Sequence, residues 1–268
     1  MKRSSGIRLC VTVAVSALSL ALITGCSDGG SDDAKDSGKD SGKGSTKALT
    51  AAELKKLIIA KGEVDGYEVA AAPKSISIPK SGVTVDKEQC RPLAWAMTAL
   101  APGDAAAATS RMVTEAKPVS ASASPSKSLE DLSEEEFDDA WSAALSRTVT
   151  FVGLSSYDGD GAAKTFKSVS DAIGSCSSGY TLTPGTDGQK YTKIAAEKAS
   201  GTGDESVAFA ASGEMDEADG QTGTVHTEVV RRGSTLVTYY TVNLGALMSD
   251  KAYDVPSAVI DAQTAKLK

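Results

Sequence analysis

Between Leu9 and Ile23 runs a stretch of 15 residues without a charge, preceded by Lys2, Arg3 and Arg8. A spanning helix needs about 20 apolar residues, so the run is short for that role and normal for the core of an export signal. This feature constrains everything after it, because an exported chain folds where thiols oxidise. Of the four cysteines, Cys10 lies inside the signal and Cys26 at its end, leaving Cys90 and Cys176 for the folded part. Each sits on an apolar stripe at helical spacing, Cys90 with Leu93, Ala94, Met97 and Leu100, and Cys176 with Phe166, Val169 and Ile173. The expectation is two helices on one side of the core joined by a disulfide. It would close a loop of 86 residues, for which chain entropy sets an upper figure of about 4–5 kcal/mol. The alternatives are a metal pair or a reactive thiol. Zinc needs four ligands, and His226 is the only histidine, so a Cys/His zinc site is excluded, and no metal or cofactor is expected.

The apolar run ends in Leu22-Ile23-Thr24-Gly25-Cys26, which resembles the lipobox of bacterial lipoproteins. That resemblance implies cleavage before Cys26 and diacylation of its sulfur, with palmitate-type chains anchoring the protein on the outer face of the membrane. Two acyl chains suffice for stable anchoring. The competing reading is an ordinary secretory signal with a chance cysteine. Residues 27–46, SDGGSDDAKDSGKDSGKGST, repeat Asp-Ser-Gly-Lys in tandem and hold no apolar side chain larger than Ala34. Nothing there offsets ordering entropy, so a disordered tether is expected. The organisation read from sequence is therefore a signal peptide over 1–25, a lipidated tether over 26–46, and one extracytoplasmic domain over 47–268.

Within that domain, Thr50 and Glu53 have capping-box spacing, Leu49 and Leu54 can staple, and Leu54, Leu57 and Ile58 form a stripe that Gly62 stops. Tyr67-Glu68-Val69 reads as a strand, and residues 73–85 as extended chain. Residues 101–128 thin into Ala, Ser, Thr and Pro and read as a mobile surface insertion. After it, Phe137, Ala140, Trp141, Ala144 and Leu145 mark a helix opened by a capping box at Ser133 and Glu136. Arg147–Tyr157 alternates as a strand into the Cys176 helix. Strands are then expected over 190–196, 206–211, 222–231 and 234–244, with a tight turn at Arg232-Gly233 and a terminal helix after Pro256. On the last strand, Val237, Tyr239 and Thr241 share one face, and Leu236, Tyr240, Val242 and Leu244 the other. The fold class is α+β, an antiparallel sheet flanked by helices, with helices covering one side.

Several stretches in this order resemble a known family. They are Leu54-x-x-Leu57 before Gly66-Tyr67, Cys90-Arg91-Pro92-Leu93, and Leu154-Ser155-Ser156-Tyr157 ahead of the Cys176 helix. Further on come Gly203-Asp204-Glu205-Ser206, Val230-Arg231-Arg232-Gly233-Ser234, and Val255-Pro256 before Gln263 and Lys266-Leu267. Together they resemble actinobacterial lipoproteins similar to the extracellular sensor domain of PknH-type serine/threonine kinases, over about residues 47–268. The resemblance implies an antiparallel sheet flanked by helices, a cross-linked core and a groove for a small ligand. This chain has one cysteine pair where the kinase sensor domain has two disulfides.

Catalytic chemistry finds little support. Hydrolytic triads need a base, and His226, in a strand and out of register with Val225 and Val229, reads as a half-exposed strand histidine. Ser124-Pro125-Ser126-Lys127 matches Ser-x-x-Lys but lies outside a helix. The acids Glu134, Glu135, Glu136, Asp138 and Asp139 cluster at a helix start, and Glu214, Asp216, Glu217 and Asp219 in a hairpin loop. Both groups read as solvated charge. Asp158-x-Asp160-Gly161 lacks the remaining calcium ligands and reads as a turn. Trp95, Trp141, Tyr239 and Tyr240 could stack on a ligand but read first as core. With 28 Lys+Arg against 35 Asp+Glu the net charge is −7, so nucleic acid is not an expected partner. Expected partners are the membrane, through lipid on Cys26, and a small ligand or envelope protein. The function expected is a non-catalytic binding or sensor-like module outside the cell. The alternatives are a cell-envelope hydrolase using paired carboxylates and a protein-binding scaffold.

Overall fold

The computed structural model describes residues 46–73, 78–116, 133, 134, 141, 145–214, 222–247 and 251–267. Its helices are α1 (Ala51–Leu57), α2 (Arg91–Met97), α3 (Gly161–Ser175), α4 (Leu244–Leu247) and α5 (Ser257–Ala265). Its strands are β1 (Tyr67–Ala70), β2 (Val83–Val85), β3 (Ala107–Glu115), β4 (Thr148–Ser156) and β5 (Tyr180–Pro184), then β6 (Gln189–Glu197), β7 (Glu205–Glu214), β8 (Thr222–Arg232) and β9 (Thr235–Asn243). The nine strands form one antiparallel sheet in the order β1-β3-β4-β9-β8-β7-β6-β5-β2.

Local chemistry sets the ends of these elements. The Thr50 hydroxyl accepts the Glu53 amide while the Glu53 carboxylate accepts the Thr50 amide at 2.7 Å, closing the capping box of α1. The helix stops at Leu57, earlier than Gly62, because the Gln263 side chain takes over its last polar groups. The Gln263 amide donates to the Leu57 carbonyl, and its oxygen accepts the Ile59 amide, both at 2.9 Å. Two of the resembling motifs meet at the β8–β9 hairpin. The Asp204 carboxylate accepts the Gly233 amide at 2.7 Å, and the Arg231 guanidinium donates to Glu205 at 2.6 Å. Gly233, with φ +57°, and Ser234 are the two turn residues, one position beyond the sequence expectation.

Both faces of the sheet are buried, which corrects the expectation of helices on one side. On one face, Leu54, Ile58 and Ile59 from the first helical segment and Val259 and Ile260 from α5 pack on Val113, Val152, Val230, Val237 and Tyr239. On the other, α2 and α3 pack on Tyr180, Ile194, Phe209, Val229 and Leu236. A central strand such as β9 therefore buries both its alternating sets, a pattern that favours apolar residues throughout. The Cys90–Cys176 disulfide ties the start of α2 to the end of α3, with Cα atoms 5.9 Å apart and both cysteines fully buried.

Two strands depart from the sequence reading. Residues 107–115, read as part of a mobile insertion, form β3, paired along its length with β4. Its first residues are small, and Ser110 lies opposite Gly153 on β4. Residues 117–128 of that insertion lie outside the described residues. Tyr180–Pro184, which no strand expectation covers, forms β5 between β6 and the short edge strand β2. Of the helix expected around Phe137, only Ser133, Glu134, Trp141 and Leu145 are described.

Candidate functional site

The end of α2 builds the site. After Met97 the Thr98 hydroxyl turns back to donate to the Ala94 carbonyl at 2.9 Å, and Ala99 adopts a positive φ of 54°. This turn rests on the sheet at Gly153, where a Cβ would stand 2.5 Å from the Thr238 hydroxyl and 3.3 Å from the Ala99 carbonyl. Beside that contact the sheet and the turn part to leave a cavity of about 300 Å³. Met97, Thr98, Ala99 and Leu100 line it from the α2 side, Ser110, Phe151, Pro184 and Tyr240 from the sheet, and Ala72 and Ile78 from the chain between β1 and β2. Phe151 and Tyr240 are register partners on β4 and β9, and their rings stack with centroids 6.1 Å apart.

A second cavity of about 170 Å³ lies on the same face toward β6, lined by Gln189, Tyr191, Gly213, Gly223, Val225, Tyr240, Val242 and Leu247. Gly213 and Gly223 pair across β7 and β8, so the sheet presents no side chains there. Tyr191 and Tyr240 both face this cavity. Burial pushes the ionisation of both phenols upward, so they stay neutral at physiological pH. Neither cavity has a charged side chain in its lining. A surface of this composition favours hydrocarbon and penalises any ligand that must bury a charge.

The residues singled out in the sequence fall in different places. Of the four aromatic residues, Tyr240 alone lines these cavities; Tyr239 is fully buried on the opposite face. Trp95 packs against the α2–α3 core beneath the Lys80 ammonium, 3.9 Å from the ring centroid, and Trp141 is exposed. His226 is more enclosed than expected. Its Nδ1 lies 3.0 Å from the Glu197 carboxylate, its ring meets the Tyr253 ring edge-on at 4.6 Å, and its side chain is 11% exposed. A polar hollow beside it is lined by Glu197, Thr222, Thr224, Lys251 and Asp254.

Asp158 accepts the Ala48 amide and Asp160 pairs with Lys164 at 2.9 Å, the turn role expected of them. Glu134 and Glu214 are exposed, while Glu135, Glu136, Asp138, Asp139, Asp216, Glu217 and Asp219 lie outside the described residues, as do Ser124–Lys127 and Cys26. Among the described residues, no group of three or more His, Cys, Asp or Glu side chains is placed to hold a metal ion, and no helix is long and apolar enough to cross a membrane. Sequence reasoning missed Phe151, Ser110 and the Gly213–Gly223 pair as parts of one site. The signal available for the last was two glycines in facing strands.

No family model matches the chain, and no curated protein matches it in sequence. Among solved structures the chain is similar to the extracellular domain of PknH from Mycobacterium tuberculosis. The two share 12% identity over 82% of this chain and 95% of that one, with a TM-score of 0.46.

Proposed function

We propose that the protein is a membrane-anchored extracytoplasmic lipoprotein whose folded part, residues 47–268, is a non-catalytic, sensor-like module that binds a small apolar ligand. The observation that carries the binding reading is the 300 Å³ cavity under the end of α2, of a size used for small ligands and lined without charge. The Cys90–Cys176 disulfide supports an oxidising compartment. The signal-like N-terminus and the lipobox-like Leu22–Cys26 support export and acylation at Cys26, with residues 26–46 as the tether.

The non-catalytic reading is supported by the surroundings of the one histidine. His226 is held by Glu197, but of the threonine hydroxyls lining its hollow, Thr224 shares a 2.8 Å hydrogen bond with Ser212. Two measurements test the proposal. Intact-mass analysis of protein from its native membrane should show loss of 25 residues and a diacylglyceryl adduct. Retention of Met1 or an unmodified Cys26 would overturn the anchoring. Solvent extraction of the same material should release an apolar small molecule whose readdition raises the melting temperature. An extract that never changes it would overturn the binding reading.

A further inference from the structure

We infer that Tyr240 sets the length of the hydrocarbon chain that the site accepts. The inference rests on the reading of the cavity under α2 as the ligand site. It rests also on the position of one ring: among the described residues, Tyr240 is the side chain common to both cavity linings. On one side it stacks on Phe151, and on the other it faces the cavity that Tyr191 and the paired Gly213 and Gly223 also line. The ring thus divides one uncharged trough into two lobes. A ligand with repeated apolar units fits such a trough, its polar head left in water and its chain taking up the uncharged lining.

Volume makes the inference quantitative. At about 30 Å³ for each water-sized group, the 300 Å³ lobe holds about ten chain carbons. On the same scale the 170 Å³ lobe holds about six more. With Tyr240 in place the ligand is an unbranched acyl chain of about ten carbons. With the ring removed the joined trough takes a chain of at least about sixteen, since the ring's own space is added to the two lobes.

The test measures binding of saturated fatty acids of increasing length, by displacement of an apolar fluorescent dye. It uses the full chain carrying Cys26→Ser, so that no acyl group of its own competes. For the wild-type site, affinity should rise about fourfold per added carbon and level off near ten carbons. In Tyr240→Ala the rise should continue to about sixteen carbons or beyond. Ser110→Leu, which fills the first lobe while leaving Tyr240 in place, should bring the plateau about three carbons shorter. A Tyr240→Ala plateau unchanged from wild type refutes the gate while leaving the ligand site standing. An unchanged Ser110→Leu plateau shows that the chain does not occupy the first lobe. Absence of displacement by any chain length refutes the ligand site itself, and the gate with it.

Discussion

Replacing Gln263 should cost more stability than its single side chain suggests. Gln263 is fully buried, and its amide serves two backbone groups at the end of α1, the Leu57 carbonyl and the Ile59 amide. Each such bond contributes about 1 kcal/mol net, and a buried backbone group left without a partner costs about 1–3 kcal/mol. Gln263→Ala removes both bonds and strands both groups, so a loss of about 3–4 kcal/mol is expected. With a urea slope of about 2 kcal/mol/M, the midpoint should fall by roughly 1.5–2 M. Gln263→Glu separates donation from size. Its buried carboxyl has a raised pKa, so the protonated acid both donates to Leu57 and accepts from Ile59. As pH rises through that folded pKa the donor is lost and an unpaired charge faces a carbonyl. Gln263→Glu should therefore gain stability relative to wild type as pH falls from 7 to 5. A loss below about 1 kcal/mol for Gln263→Ala, or a pH-independent Gln263→Glu, would show that the α1 terminus finds other partners.

Three other outcomes are expected. Thiol titration of the unfolded, unreduced protein should find neither Cys90 nor Cys176 reactive, and the double alanine variant should lose about 4 kcal/mol in urea melts. Burial raises the pKa of Glu228, which accepts the Ser200 amide at 3.1 Å, so its ionised form weakens the fold progressively as pH rises from its ordinary value through the raised one. Glu228→Gln should then be stabilised relative to wild type by an amount that grows with pH, read as melting temperature from pH 4 to 8. Gly153→Ala should destabilise by about 1–3 kcal/mol through overpacking against Thr238 and Ala99, a loss that Thr238→Ser in the same chain does not relieve because the hydroxyl remains.

What could be seen in the sequence was local or covalent. The Thr50–Glu53 capping box, the two stripes carrying Cys90 and Cys176, and the alternation of β9 are patterns a few residues long, and each is present in the structure. β3 was missed because Ala107-Ala108-Thr109-Ser110 has neither the bulk nor the β-branched density of a strand. It holds its place through pairing with β4, a partner more than 30 residues away. The termination of α1 could not be read for the same reason, since Gln263 lies 204 residues from Ile59. The cavity is least legible of all: its lining is drawn from the end of α2, four strands and the chain between β1 and β2, and no short window contains more than the Met97–Leu100 part.

The point where the described chain begins is itself fastened. The Thr46 carbonyl accepts the Gly159 amide at 2.7 Å, the Ala48 amide donates to Asp158, and the Leu49 amide donates to the Ser156 hydroxyl at 3.0 Å. All three bonds reach the corner between β4 and α3, more than 100 residues along. A mechanical load entering from the N-terminal side therefore meets this corner before it reaches α1. It is handed to the middle of the sheet through β4, where force is shared among many ladder bonds instead of peeling one helix from the surface.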